Sequence, residues 1–140
     1  MIWTIVILVV VFFLIKFLIE VSKDKDDLHG KTLEEKFNVI INMLNETAFN
    51  GRGEITKINN RELNLYEVGT NQLIKLHYST GSLTVDWRFK FFQKEMVHSR
   101  QFNNFRNLSI FEQQKIAKIF IEEGLRKIEA HKQSVTNQIF

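Results

Sequence analysis

The chain has 140 residues, of which 44% are hydrophobic and 25% are charged. These are ordinary globular values, and they exclude a disordered chain and a polytopic membrane protein. Because the sequence contains no cysteine, disulfides, thiolate metal sites and cysteine nucleophiles are excluded, and a net charge of only +3 does not by itself indicate a nucleic-acid partner.

The first predicted element is a transmembrane helix, and we assign residues 1–21 to a membrane anchor. Residues 2–15 are apolar on every side of a helix apart from Thr4, whereas a soluble amphipathic helix would have a polar stripe. Twenty residues rise about 30 Å, which matches the hydrocarbon core of a bilayer. Lys16 lies past the midpoint, so its long side chain can reach the interface. The first predicted partner is therefore the lipid bilayer, through residues 2–21.

A cleaved signal peptide is the main alternative to this anchor. Signal peptides begin with positive charge and end at a small-residue cleavage site, and neither feature flanks the apolar run. Basic residues follow the run at Lys16, Lys23 and Lys25, and none precedes it. The positive-inside rule then predicts a single-pass signal-anchor in the cell membrane, with the soluble domain in the cytoplasm.

A charged linker, residues 22–31, follows the anchor, and residues 32–140 form the predicted soluble domain. A capping-box pattern at Thr32 indicates the start of a helix, and the apolar residues that follow recur every three or four positions. Asn50-Gly51 is typical of a helix end. We therefore predict one continuous helix between these two signals.

The central part of the domain alternates between apolar and polar residues with the period of a β-strand. It is divided by turn signals at Asn59-Asn60, Gly69-Thr70-Asn71 and Ser79-Thr80-Gly81-Ser82. The predicted strands are about 54–58, 62–68, 72–78, 83–92 and, less clearly patterned, 95–102. Short turns and two-residue alternation favour an antiparallel meander of four or five strands, with one face packed and the other in water.

A second capping-box pattern at Ser109 predicts a last helix, which runs to about His131. Its apolar stripe includes Ile110 and Phe120, so both are expected to face the core. Gly124 lies within the stripe, where glycine costs about 1 kcal/mol relative to alanine, and we expect a close approach to the sheet there. The predicted fold is α+β: a transmembrane helix, a helix, the antiparallel meander and a C-terminal helix.

No segment has the spacing of a catalytic, cofactor or metal site. The histidines lack the H-x-x-x-H and H-E-x-x-H spacings that place two ligands on one helix face. They are His29, His77, His98 and His131. We therefore predict no catalytic residue, no cofactor and no metal.

Basic and aromatic residues alternate most densely around the fourth predicted strand. Arg88 and Lys90 lie on its polar face, a combination found in proteins that bind single-stranded nucleic acid or anionic lipid. Phe92 lies on the same face, and Phe111 and Ile119 lie on the polar side of the last helix. If these apolar residues were contiguous, they would form a patch for a partner or for self-association. The predicted contact residues are Arg88, Lys90, Phe92, Phe111 and Ile119.

The predicted function is binding rather than catalysis. An anchor raises the local concentration of a domain near a membrane partner, and the domain has no recognisable catalytic group. We therefore predict a non-enzymatic accessory or assembly subunit of a membrane complex, with a membrane protein or a second copy of the chain as partner rather than nucleic acid. The alternative is a tethered module for nucleic acid or anionic lipid, or an enzyme that uses Arg88, Lys90, Arg100 and His77 or His98 in a cleft of the sheet.

Overall fold

The α+β layout predicted from the sequence is confirmed. The computed structural model describes residues 1–28, 32–79, 81–103, 105 and 108–139. The helices in these ranges are α1 (Ile2–Leu28), α2 (Leu33–Lys36), α3 (Asn38–Phe49) and α4 (Ile110–Ile139). The strands are β1 (Glu54–Asn59), β2 (Glu62–Tyr66), β3 (Gln72–Ser79), β4 (Ser82–Phe91) and β5 (Lys94–Phe102).

The apolar helix α1 lies outside the core of the domain. Its segment Ile2–Ile19 is 0% buried, and it is long and apolar enough to cross a membrane, a test that a signal sequence also passes. The helix has 27 residues, which corresponds to about 40 Å at 1.5 Å per residue. It continues past the predicted anchor boundary to Leu28, so much of the predicted linker is helical. The rest of that linker, residues 29–31, lies outside the described residues.

The helix predicted after the linker is divided into α2 and α3. The Thr32 hydroxyl accepts a hydrogen bond from the Glu35 amide (3.1 Å), and the Glu35 carboxylate accepts one from the Thr32 amide (3.4 Å), so the predicted capping box is present. The helix is interrupted at Phe37, with φ −108° and ψ 27°. Its fully buried ring meets the Tyr78 ring edge-on at 5.3 Å. The sequence predicts one continuous helix, whereas the structure divides it at Phe37. Hydrogen bonds from the Phe37 amide to the Leu33 carbonyl (3.0 Å) and from the Ile41 amide to the Phe37 carbonyl (2.9 Å) nevertheless continue through this position.

The end of α3 agrees with the sequence. Asn50 has a left-handed backbone (φ 53°) and Gly51 follows with φ 79°. Asn45 then connects the helix to the sheet: its side-chain oxygen accepts from the Gly53 amide (2.8 Å) and its side-chain nitrogen donates to the Gly53 carbonyl (3.3 Å). These two bonds satisfy the backbone amide and carbonyl of Gly53, between α3 and β1, and set the direction in which β1 begins.

The strands form a meander in the order β1-β2-β3-β4-β5, with every pair antiparallel. The fifth strand is therefore confirmed. The register pairs Ser79 with Ser82 at one end of the sheet, which we call the proximal end. It pairs Phe91 with Lys94 at the other end, which we call the distal end. The β2–β3 loop and the β4–β5 hairpin both lie at the distal end.

The helices cover one face of the sheet, and the core lies between the two layers. The buried residues of the central strands are Leu63, Leu65, Ile74, Leu76, Tyr78, Leu83, Val85, Trp87 and Phe89. Gln72 links the layers, since its side-chain amide donates to the Ala48 carbonyl of α3 (2.7 Å) and its oxygen accepts from the Trp87 indole N–H (2.9 Å). The alternation predicted for β3 and β4 is confirmed.

The long helix α4 runs from the proximal to the distal end. Near its start, the Gln113 side chain donates to the Lys36 carbonyl of α2 (3.3 Å). Near its end, the Gln138 side chain accepts from the Lys94 ammonium of the distal hairpin (3.1 Å). The helix runs to Ile139, past the predicted end, and His131 and Gln138 on its last turns contact Lys94 of the distal hairpin.

Two expectations for α4 have opposite outcomes. A Cβ atom on Gly124 would lie 2.6 Å from Cε3 of Trp87, so the predicted close approach to the sheet is confirmed. Ile110 was expected in the core, but it is exposed. This residue lies on the first turn, three residues before Gln113, the first buried residue of α4, so its position on the apolar stripe does not bury it.

Candidate binding groove

The face of the sheet opposite the helices is open and carries charge of both signs. Lys75 Nζ lies 2.7 Å from Glu62 Oε1, and Arg88 Nη1 lies 3.4 Å from Glu95 Oε1. The hydrogen bond from Lys75 is the main reason that the pKa of Glu62 is below its ordinary value. Cations on this face are thus interspersed with carboxylates, which makes it a mixed surface rather than a basic one.

A groove of about 720 Å³ opens on this face at the distal end of the sheet. It lies between the β2–β3 loop and the β4–β5 hairpin. The loop is fastened to β4 because the Asn71 side chain donates to the Lys90 carbonyl (2.5 Å) and the Asn71 carbonyl accepts from the Lys90 amide (2.9 Å). The walls of the groove include Tyr66, Leu73, Arg88, Lys90, Phe92 and Glu95. The two contacts between Asn71 and Lys90 join the β2–β3 loop to the end of β4 at the groove.

The groove combines apolar side chains with positive charge. Leu73 and Val97 flank Arg88 on the two neighbouring strands. The Arg88 guanidinium is partly neutralised by Glu95. Lys90, by contrast, makes no ion pair within the ranges that the structure describes. This arrangement complements a ligand that carries an acidic group beside apolar side chains.

Phe92 and Gln93 form the tip of the β4–β5 hairpin in an unfavourable backbone conformation. Their φ angles are 49° and 65°, the pattern of a type I′ turn, which favours Asn-Gly. A left-handed backbone costs other residues about 1–2 kcal/mol each. Phe92 also remains 58% exposed, with its ring edge-on to Phe91 at 4.6 Å. Folding alone therefore does not account for phenylalanine here. The predicted strand included Phe92, whereas β4 ends one residue earlier.

The structure brings some of the predicted contact residues together and separates the others. The groove contains Arg88, Lys90 and Phe92. Phe111 lies at the opposite end of α4 from Gln138, which contacts the hairpin, and the helix rise between them is about 40 Å. Ile119 is exposed in the first half of α4, nearer to Phe111 than to the hairpin. The three apolar residues therefore do not form one patch.

The sheet also separates the residues of the alternative cleft. His77 is exposed on the open face, whereas His98 is buried beneath α4. Arg100 lies on the covered side, where its guanidinium contacts the Glu123 carboxylate of α4 (2.8 Å). Neither His98 nor Arg100 shares a cleft with Arg88. In the described ranges, no group of three or more His, Cys, Asp or Glu residues is arranged to hold a metal ion.

His98 is a titratable group inside the core. Its Nε2 lies 3.1 Å from the Phe120 carbonyl oxygen, and its ring stacks on the Phe120 ring at 4.4 Å. Nε2 therefore carries the proton, and Nδ1 has no partner among the described residues. Burial lowers the pKa of His98, helped by the charges of Lys127 and Arg100 and opposed by the Phe120 carbonyl and Glu123. The lowered pKa favours the neutral imidazole, which packs against Phe120 in the core.

Sequence reasoning missed the walls that come from β2 and β3. The two-residue alternation of the third strand places Leu73 on the open face, but the sequence pattern alone does not show that it pairs with Arg88. Tyr66 joins it because β2 and β3 pair across the loop that contains Gly69-Thr70-Asn71. That turn signal fixes the register, so the sequence contained the necessary clue.

Comparisons with protein families, with curated proteins and with solved structures found no match to this chain. The geometry and chemistry of the groove are therefore the basis for a function.

Proposed function

We propose that the chain is a non-enzymatic, single-pass membrane protein whose domain binds a partner protein, as an accessory or assembly subunit of a membrane complex. In this proposal α1 anchors the chain in the cell membrane and the domain lies in the cytoplasm. The observation that supports binding is the distal groove, where Phe92 stays exposed on a strained turn beside Lys90, which has no ion pair among the described residues. Backbone strain of this kind persists only where the surrounding structure maintains it, and strained residues are concentrated at functional sites.

The groove complements an extended peptide segment with acidic and apolar residues. Lys90 offers an ammonium group to a carboxylate, and charge-assisted hydrogen bonds of this kind are stronger than neutral ones. Tyr66, Leu73 and Phe92 supply apolar surface, and exposed aromatic residues of this type often anchor a partner. The mixed charge of the surrounding sheet face would select against a uniformly acidic ligand.

The alternative functions have less support. Stacking of nucleic-acid bases requires accessible aromatic rings, whereas Trp87 and Phe89 of the same strand are 1% and 5% exposed on the covered face. An enzyme would need a nucleophile or a general acid and base that are oriented by a neighbouring group, and no such pair is formed by Lys90 or Tyr66 among the described contacts of the groove. Its carboxylate, Glu95, is paired with Arg88, and no histidine lines the groove as described.

Photo-crosslinking from the two edges of the open face tests the proposal. Because the chain has no cysteine, a single introduced cysteine carries the only crosslinker. Val97→Cys places it beside Arg88, and Thr56→Cys places it on β1, about 19 Å away across the sheet. In native membranes we expect a discrete, protease-sensitive adduct from position 97 and none from position 56.

Second changes in the Val97→Cys chain then test the groove itself. Lys90→Glu and Phe92→Ser should each abolish the adduct, whereas Lys57→Glu and Ile58→Ser, equivalent changes at exposed positions of β1, should preserve it. An adduct that survives both groove changes would contradict the proposed site. An adduct sensitive to nuclease instead of protease would favour a nucleic-acid ligand.

The orientation needs a separate measurement. Ser134 is exposed on α4, so a cysteine at this position reports which side of the membrane the domain occupies. A membrane-impermeant maleimide should label Ser134→Cys only after the cells are opened. Labelling of intact cells would place the domain outside and contradict the cytoplasmic assignment.

A further inference from the structure

An exposed apolar pair lies at the proximal end of the domain. Ile110 and Phe111, at the start of α4, are 65% and 74% exposed. The Ser109 hydroxyl accepts a hydrogen bond from the Glu112 amide (3.2 Å), so this helix start is capped. The pair is therefore held on a regular helical turn rather than on a loose loop, and it projects beyond the core.

A hydrogen bond and a short stretch of chain place this pair close to the end of α1. Two residues after Phe111, the Gln113 side chain donates to the Lys36 carbonyl of α2 (3.3 Å). The chain from Leu28, the last residue of α1, to Leu33, the first residue of α2, can span at most about 18 Å whatever its path. The start of α4 is therefore tethered near Leu28, which lies nine residues, or about 13 Å of helix, beyond the apolar segment Ile2–Ile19. The connecting chain of about 18 Å is long enough to return the start of α4 to the bilayer surface, whereas the groove lies at the far end of the sheet.

We propose that Ile110 and Phe111 insert into the interfacial region of the same bilayer that α1 crosses, and that this second contact orients the domain. The inference rests on the proposed anchoring role of α1. Apolar and aromatic residues are favoured at the boundary between head groups and acyl chains. In this proposal α1 holds the domain close to the bilayer, and the exposed pair makes a second apolar contact with the lipid.

The charges near the pair indicate that apolar contact drives this docking. The exposed cations Lys115 and Lys118 on α4 are balanced by the exposed carboxylates of Glu34 and Glu112. The described residues therefore form no polybasic cluster at this position, the feature that would attract anionic lipid. The predicted docking occurs on neutral phosphatidylcholine and is insensitive to salt.

The full-length chain in phosphatidylcholine vesicles provides the test. A fluorophore on Gln114→Cys, one turn from Phe111, reports the proximal end, and the same fluorophore on Leu8→Cys reports α1. We expect acyl-chain nitroxide lipids to quench position 8 and head-group nitroxide lipids to quench position 114. Adding Ile110→Ser and Phe111→Ser to the Gln114→Cys chain should lower the ratio of docked to undocked domain by at least about tenfold, since even partial burial of two such side chains exceeds this effect.

The matched control and the outcomes separate this inference from the anchoring proposal. Ile119→Ser with Leu125→Ser removes a similar pair of exposed apolar side chains from the same helix and should leave quenching unchanged. If position 8 is quenched but position 114 is not, or if the serine pair changes self-association without changing quenching at 114, the interfacial contact is refuted and the anchor stands. If position 8 is not quenched, the anchoring proposal fails and the inference fails with it.

Discussion

Replacing Phe92 and Gln93 by Asn and Gly should stabilise the domain and abolish partner binding. Both residues have positive φ angles, and Asn-Gly is the sequence that such a two-residue hairpin favours. The groove would lose its exposed ring at the same time. Opposite effects on stability and on binding are expected only if Phe92 is retained for a purpose other than folding.

The size of the stabilisation follows from three contributions. Relief of the left-handed backbone contributes about 1–2 kcal/mol at each of the two positions. Loss of the ring contact between Phe91 and Phe92 opposes it by at most about 1 kcal/mol, since the Phe92 ring is largely exposed. The added freedom of glycine in the unfolded chain opposes it by about 0.5–1 kcal/mol. The expected net gain is about 1 kcal/mol, or about 4 °C in Tm.

Urea unfolding in detergent micelles measures this change. The chain has two tryptophans, and a Trp3→Phe background leaves the buried Trp87 as the only fluorescent reporter of the sheet. The double variant should have a higher urea midpoint with an unchanged slope. Val68→Ser, which removes an exposed apolar side chain from the same end of the sheet without relieving backbone strain, should leave the midpoint unchanged.

Two results would refute this reasoning. An unchanged or lower midpoint in the double variant would mean that the left-handed backbone of this hairpin is not strained. A more stable variant that still forms the crosslinked adduct from Val97→Cys would mean that Phe92 is not retained for partner binding.

Three further changes probe the core with the same urea assay. Gly124→Ala should lower the free energy of unfolding by about 1–2 kcal/mol although alanine is the better helix former, because its Cβ would lie 2.6 Å from Trp87 Cε3. The lowered pKa of His98 means that its contribution to stability is complete above about pH 6.5 and is lost as the pH falls toward the folded-state pKa, because the unfolded state binds the proton more tightly. His98→Gln should remove this slope, and His77→Gln should retain it. Asn45→Ala should cost about 1–2 kcal/mol by leaving a partly buried backbone amide without its acceptor.

Each of these expectations has a distinct counter-result. Equal stability of Gly124→Ala and the parent chain would show that α4 can move away from the sheet at little cost. A pH slope that persists in His98→Gln would assign the titration to another group. Asn42 also makes a side-chain hydrogen bond, but on the surface of α3, so a loss in Asn42→Ala as large as in Asn45→Ala would remove the special role of Asn45.

The order of the elements was predictable because each depends mainly on local pattern. Alternation within 83–91 and the capping box at Thr32 both act over a few residues. The irregular backbone at Phe37 was not predictable in this way, because the apolar periodicity continues through it and its buried ring contacts Tyr78, far away in the sequence. Likewise, the exposure of Ile110 depends on where the sheet stops, which the periodicity of α4 alone does not show.

The groove was predictable only in part, for a related reason. Alternation alone placed Arg88 and Lys90 on the open face. The addition of Leu73 required the register between β3 and β4, which follows from the intervening turns. Phe92 was predicted on the strand but lies in the hairpin turn, because β4 ends one residue earlier than predicted. A shift of one residue changes the direction of a side chain in a strand. Phe111 could not be separated from it until the length of α4 was known.

The distance between the two ends of the domain constrains the proposed partner. With Ile110 and Phe111 held at the bilayer and the strands upright on it, the groove lies about 30 Å from the surface, the length of a β-strand such as β4. A partner in the same membrane must then reach it with a tail or long loop, since an extended chain needs about nine residues to cover this distance. Peptide mapping of the adduct from Val97→Cys should therefore locate the crosslink at least about nine residues from the nearest membrane-spanning segment of the partner. A crosslink mapped closer to such a segment would mean that the domain lies flat on the bilayer, with its groove rather than its proximal end at the surface.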